Sequence, residues 1–262
     1  MVTTLGTHSP KLALVRELQT KAGRRRHARF TVAGATMLAE ALAAGRVPEE
    51  LYGTEAGLST RETGDPRLAG RMFAVPEKVM ARLSDLDSPP DLLAVHRMRY
   101  EPLEAMLSRG QPAVVLAGVA DPGNAGTLLR AAEIFGIEAA IFVGSAVEAH
   151  NPKVVRATMG AIFRMRVGRS AAVELEAIAS RLRYRLVAAA RDGEPLPTYR
   201  FPERVLLAIG NERHGVYETL GHVDEAVSIP HCGYGESLNA AVAGGIIFYA
   251  FSQQDTRKSY RS

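Results

Sequence analysis

Apolar positions follow two regimes along this chain. In the first hundred residues they recur at amphipathic spacing. "KLALVRELQTK" sets Leu12, Val15 and Leu18 on one stripe, which predicts a helix. "RFTV" reads as a short strand and "GATMLAEALAAG" as a helix stopped by Gly45. "ELYGT" and "RMFAV" read as strands on either side of a polar loop from Gly53 to Gly70. "PEKVMARLSD" is a helix with Pro76 at its start, and "DLLAVHRM" a further strand. From residue 113 the pattern changes. "AVVLAGV", "AAIFV", "RLVAAA" and "RVLLAIG" are short, almost wholly apolar runs separated by helical stretches. Strands buried on both faces have this pattern, so it predicts a parallel sheet covered by helices.

The expected organisation is therefore α/β throughout. A small N-terminal module spans residues 1–98, a linker with a helical turn or two spans 99–111, and a larger parallel-sheet domain spans 112–262. The 262 residues suffice for two modest domains, and 47% hydrophobic with 23% charged residues is the composition of a soluble globular protein. The N-terminus lacks the apolar core of a signal peptide. The longest apolar stretch, "AAVAGGIIFYAF", falls well short of the roughly 20 residues of a membrane span. A cytoplasmic protein with no membrane partner is expected. The single cysteine, Cys232, excludes an internal disulfide.

Charge adds a candidate partner. Residues 1–30 carry seven Lys and Arg against the single acid Glu17, a net +6 on a chain whose total is +4. Basic segments on a mildly acidic body suit a polyanion such as RNA, or a solvated helix face.

Open α/β sheets bind ligands beyond the carboxyl ends of their strands. The loops expected there are "ADPGNAG", "SAVEAHNPK", "ARDGEP", "NERHG" and "PHCGYGESLN". None matches the glycine fingerprint of a dinucleotide site, a P-loop or a nucleophile elbow. His214, His222 and His231 lack the spacing of a zinc helix, so no metal is expected. What remains is Gly, Asn, Ser and Glu on consecutive loops, a set suited to a ligand held mainly by backbone groups.

Three of these segments, "NAGTLLR", "IGNERHG" and "SIPHCGYGESLNAAVAGGI", resemble in order and separation the three motifs of the SpoU–TrmH family of SPOUT methyltransferases, which methylate RNA ribose 2′-oxygens. "NPKVVRATMGAIFRM" fits the same family. "RRRHARFTVAGATMLAEAL" and "LSDLDSPPDLLAV" resemble the accessory RNA-binding domain of its ribosomal-RNA members. The resemblance implies a parallel-sheet domain with a C-terminal trefoil knot and a homodimer formed through that domain. It further implies S-adenosylmethionine as cofactor and RNA as substrate, 23S ribosomal RNA first. Transfer RNA, or an RNA-binding factor without transfer activity, are the alternatives.

Residue by residue, the resemblance places Gly210, Asn211, Ile229, Pro230 and Leu238 at the cofactor, with Ala189 and Ala190 close by. It makes Asn124, Arg130, Glu212, Ser237 and Asn239 the catalytic set. Arg130 matches the arginine of the first motif. A guanidinium stays protonated, so it suits a phosphate clamp or a developing alkoxide better than a proton acceptor; the local alternative is an ion pair with Glu133 or Glu138. Asn124 and Ser237 are also good helix N-caps. Arg24, Arg25 and Arg26, with Lys153 and Arg156, are the candidate RNA contacts, although Lys153 and Arg156 could equally cap and pair locally. Two departures, Ala33 in "FTVAG" and the turn "SPPD", fall in the accessory region and bear on which RNA is read.

Overall fold

The computed structural model describes residues 2–7, 9–84, 88–211, 215–234 and 237–254. The chain forms two compact units, one of residues 1–99 with 150–163, the other of 100–149 with 164–262.

The first unit holds a five-stranded mixed sheet built from β1 (Thr3–Thr4), β2 (Arg29–Ala33), β3 (Glu50–Gly53), β4 (Met72–Ala74) and β5 (Leu92–Arg97), in the order β1-β4-β3-β5-β2. Leu12, Val15 and Leu18 are fully buried and pack with Tyr52, Met80, Leu83 and Val95. The amphipathic stripe thus does what its spacing requires. Thr20 caps the following helix Lys21–His27 by accepting from Gly23 N–H at 3.0 Å.

The inserted segment 150–163 belongs to this unit by its contacts, although it lies within the range expected for the second domain. Its helix Pro152–Ala157, capped by Asn151, packs on β2. Its Val154, Val155, Ala161, Ile162 and Phe163 are buried. Aromatic contacts join it to the sheet: Phe30 lies 4.7 Å from His150 and 5.7 Å from His96 between ring centroids, and His96 lies 5.2 Å from Phe163. Burial favours the neutral imidazole. It lowers the pKa of His96 to about 4, and that of His150, with help from the charge of Arg24, to about 3.

The second unit contains a six-stranded sheet of β6 (Ala113–Ala117), β7 (Ala139–Val143), β8 (Arg166–Ser170), β9 (Arg185–Pro195), β10 (Val205–Gly210) and β11 (Glu225–Ser228), in the order β11-β9-β10-β6-β7-β8. Every pairing is parallel. The apolar runs of β6 and β7 are buried at every position, as two covered faces demand. One face packs on helix Ala172–Arg181 and on Leu103, Met106 and Leu107. Leu103–Leu107 is a helix seated in this core, so the expected linker is structural over that stretch. Helices Pro122–Ile134 and Ala240–Gln254 pack together on the other face, where Gly244 allows the approach of Leu128 and Ile209. Strand β8, with Arg166 and Arg169 interrupting its apolar positions, escapes the pattern that reveals the others. No helix among the described residues is long and apolar enough to cross a membrane.

Candidate active site

The strand order reverses between β6 and β10. The chain leaves β6 toward β7 and β8, then returns to build β9, β10 and β11 on the other side. A crevice at the carboxyl ends is expected at such a point, and the motif segments converge there.

Beyond β6, Gly118 adopts φ +67°, and a side chain there would sit 2.7 Å from Thr219 Oγ1. Its carbonyl accepts from Asn211 Nδ2 at 3.4 Å, which ties the loop after β10 to the loop after β6. Asp121 then caps helix Pro122–Ile134, its Oδ1 accepting from Asn124 N–H at 2.7 Å, with Pro122 at the first helical position. Asn124, expected from its type to cap this helix, is three residues past the cap. Its side chain is thereby left to accept from Asn239 Nδ2 at 2.9 Å.

Asn239 is itself the cap of the final helix, a role its neighbour Ser237 was expected to fill. Its Oδ1 accepts from Ala241 N–H at 2.9 Å and Val242 N–H at 3.3 Å. Two helix N-termini are thus joined by one amide–amide bond, which brings their positive dipole ends together. Ser237 is exposed in the approach to that cap.

Arg130 is exposed on the same helix as Asn124, and its side chain makes no hydrogen bond or ion pair to another described residue. The expected local partner is engaged elsewhere: Arg164 holds Glu133, with Nη2 to Oε2 at 3.0 Å and a second, shorter bond through Nε. Helical side chains lean toward the helix N-terminus, so Arg130 covers the turn that contains Gly126. Glu212 lies outside the described residues.

The cofactor candidates lie at the carboxyl ends of three adjacent strands, β11, β9 and β10. Gly210 ends β10, and the chain turns back at once, with Gly215 N–H donating to the Asn211 carbonyl at 2.8 Å. A Cβ on Gly210 would lie 2.5 Å from the Gly215 backbone, so this turn admits only glycine. Ala189 and Ala190, expected in a loop, belong to the long strand β9. Pairing of β9 with β10 stops at Ala188, and the register of β9 on β11 shifts after Ala188 and resumes at Glu194. Ile229 is half-buried and Pro230 exposed just beyond β11, and Leu238 offers an exposed apolar side chain. Backbone groups at strand ends beside an apolar side chain fit a ligand with an adenine ring and polar extremities.

The basic residues divide. Arg24 is only 2% exposed and donates from Nη1 to the carbonyls of Leu18 (3.1 Å) and Gln19 (3.0 Å). It satisfies a helix C-terminus and is not part of the surface, a correction to its expected place among RNA contacts. Arg26 pairs with Glu17 at 3.2 Å, and acids from outside the segment neutralise more of its charge, Glu49 on Arg29 and Glu50 on Lys11. Arg25, Lys153 and Arg156 are exposed.

The all-parallel sheet sets these loops at a reversal of strand order, where α/β folds bind their ligands. Known proteins sharpen this. The SpoU rRNA methylase family matches residues 111–249, more than half of the chain, and an MRM3-like substrate binding domain matches residues 9–94. The chain belongs to the SpoU rRNA methylase family. It is 28% identical to the 23S rRNA (guanosine(2553)-2′-O)-methyltransferase RlmP of Bacillus subtilis, over 89% of this chain and 92% of that one. An AdoMet-bound rRNA methyltransferase from Sinorhizobium meliloti superposes with a TM-score of 0.86 at 26% identity, covering 97% of this chain and 98% of the other. The SpoU methyltransferase AviRb of Streptomyces viridochromogenes, in complex with AdoMet, gives 0.83 at 25% identity, over 94% and 98%.

Proposed function

We propose that the chain transfers a methyl group from S-adenosylmethionine to a ribose 2′-hydroxyl of ribosomal RNA, with 23S RNA the first candidate. The observation that carries this reading is the Asn239–Asn124 bond, which brings the first and third motif segments together next to Arg130. When bound, the cofactor supplies an electrophilic methyl on a sulfonium. Gly210, Asn211, Ile229, Pro230 and Leu238, with Ala189 and Ala190, would hold it.

Catalysis then falls to positioning and charge. Arg130 would neutralise the adjacent phosphate and the negative charge that develops on the 2′-oxygen as its proton passes to solvent. The helix N-termini at Asn124 and Asn239 add fixed positive ends at no reorganisation cost. Ser237, exposed before the last helix, would hydrogen-bond the ribose, and Glu212 would complete the set as the acid of its loop. Holding the 2′-oxygen in line with the methyl converts a bimolecular step into an effectively unimolecular one.

The assembly belongs to the same proposal. Val242, Ile246 and Tyr249 lie exposed along one stripe of the last helix, with Leu238 before it and Ile134 (65% exposed) on the helix it packs against. A contiguous apolar stripe of this kind is the mark of an interface, and a second copy is its occupant. The trefoil knot is likewise supported by the path of the chain. From the edge strand β11 it must cross the ends of β9 and β10 to bring Asn239 to Asn124. A cytoplasmic location is part of the same proposal.

The test is direct. The purified chain, S-adenosylmethionine labelled in its methyl group and 23S RNA from cells lacking the gene should yield one 2′-O-methylated nucleotide. Absence of label in RNA, with RNA still bound, would assign the chain to the non-enzymatic alternative.

A further inference from the structure

One side chain meets two of the loops at the carboxyl end of the parallel sheet. Thr219 lies on the short helix Tyr217–Leu220, which follows the loop after β10. Its two branches reach different neighbours. A Cβ on Gly118, beyond β6, would meet Thr219 Oγ1 at 2.7 Å, and a Cβ on Gly144, beyond β7, would meet Thr219 Cγ2 at 2.8 Å. The branched side chain therefore rests in two dents, each left by a glycine of positive φ, +67° and +65°.

Both seats are held from outside. Gly118 N–H donates to the Val143 carbonyl at 3.1 Å and Val147 N–H to the Val119 carbonyl at 2.9 Å, which ties the loops after β6 and β7 together. Arg169 Nη2 donates to the Gly144 carbonyl at 3.2 Å. The helix is anchored as well, because Val216 before it and Leu220 at its end are each 1% exposed and belong to the core under the sheet.

Just before this helix runs the loop that begins with Gly210 and Asn211. Its polar tie to the loop after β6, from Asn211 Nδ2 to the Gly118 carbonyl, is long at 3.4 Å and correspondingly weak. The packed contact is the stiffer one, since a β-branched side chain is restricted at χ1. Thr219 Oγ1 makes no hydrogen bond to another described residue, so the shape of the side chain matters more than its hydroxyl. We propose that Thr219 is a positioning residue for the cofactor: it holds the loop carrying Gly210 and Asn211 at a set distance from the loop that leads into the helix of Asn124 and Arg130. The proposal rests on the reading of Gly210 and Asn211 as cofactor residues, and it assigns Thr219 a role exerted through the loops.

Three variants of the full chain decide it. T219A, which empties both seats, should weaken S-adenosylmethionine binding in titration calorimetry about tenfold, because a loop no longer set must be ordered on binding. T219V, which refills both seats, should bind within about twofold of the unmodified chain. I141V, a truncation at the fully buried centre of β7, should lose stability yet also bind within about twofold. In the cofactor-free chain, hydrogen exchange of the Gly215 amide, which donates to the Asn211 carbonyl, should quicken about tenfold in T219A and stay unchanged in T219V and I141V. Binding by T219A at the unmodified level, equal weakening in T219V or I141V, or unaltered Gly215 exchange in T219A would each overturn the proposal. If the unmodified chain binds no S-adenosylmethionine, the proposed function is refuted while the exchange measurement still judges Thr219.

Discussion

Asn239 holds two helices at once: its Oδ1 caps its own helix at Ala241 and Val242, while its Nδ2 donates 2.9 Å to Asn124 on the neighbouring one. Both ends of one amide are used. Neither aspartate, which lacks the donor, nor serine, which lacks the reach, can replace it. Loss of a cap costs about 1 kcal/mol and loss of a neutral hydrogen bond a similar amount. N239A should therefore lower unfolding free energy by about 1–2 kcal/mol, whereas N239D should keep the cap and lose only the bond to Asn124, about 1 kcal/mol. Both should impair methyl transfer, and a double-mutant cycle with N124A should show coupling between the two positions. Additive effects would mean the bond does not organise the site.

Arg130 offers the opposite profile. Its side chain is exposed and supports no other described residue, so R130A should leave the melting temperature unchanged within about 1 °C, as exposed surface substitutions do. Activity should fall by two orders of magnitude or more, the usual loss when a charge-stabilising donor is removed. R130K should recover part of it, since the charge is kept and the planar fork lost. Activity in R130A close to that of the unmodified chain would remove Arg130 from the mechanism.

Two adjacent glycines separate packing inside the chain from the surface. A Cβ on Gly244 would approach Leu128 Cδ2 to 2.2 Å, and Leu128 is fully buried, whereas a Cβ on Gly245 meets nothing within 4 Å. G244A should destabilise by about 1–3 kcal/mol through overpacking. G245A should stabilise the isolated chain by up to about 1 kcal/mol through helix propensity. Equal effects in chemical denaturation would contradict this division.

Acid should weaken the fold before the carboxylates titrate. His96 and His150 have native pKa values lowered by burial to about 4 and about 3, against about 6.5 in an unfolded chain. As pH falls below about 6.5 the unfolded chain takes up protons that the native one refuses. Stability from these groups is thus complete above that pH, declines through the acid range and stops declining below the native values. At pH 5 the loss should be on the order of 2 kcal/mol per histidine. Urea denaturation at pH 7 and pH 5 measures it, and H96F should flatten the slope by about half.

Much of this was legible in the chain because the responsible physics is local. Uninterrupted apolar runs announced β6, β7 and β10, and the stripe Leu12–Val15–Leu18 announced the first helix. The segments around Asn124 and Asn239 were recognisable as motifs. What the chain concealed depended on neighbours distant in sequence. Asp121, Asn124, Ser237 and Asn239 are all competent caps by type, and only the mutual approach of two helices selects Asp121 and Asn239. A true signal for Asp121 was present: an acid directly before Pro122 is a common helix start. Arg24 looked like its neighbours Arg25 and Arg26, yet it faces the end of another helix. Strand β8 failed to declare itself because an edge strand needs only part of its length to be apolar.

The inserted segment 150–163 also constrains how such a protein can be rebuilt. Residues 1–99 look in sequence like an exchangeable cassette, but their sheet is covered by a segment encoded between β7 and β8, through Phe30 on His150 and His96 on Phe163. A recombinant that takes its first hundred residues from one relative and the remainder from another inherits mismatched halves of one core. Grafting a new RNA preference onto this scaffold therefore requires two discontinuous stretches to travel together.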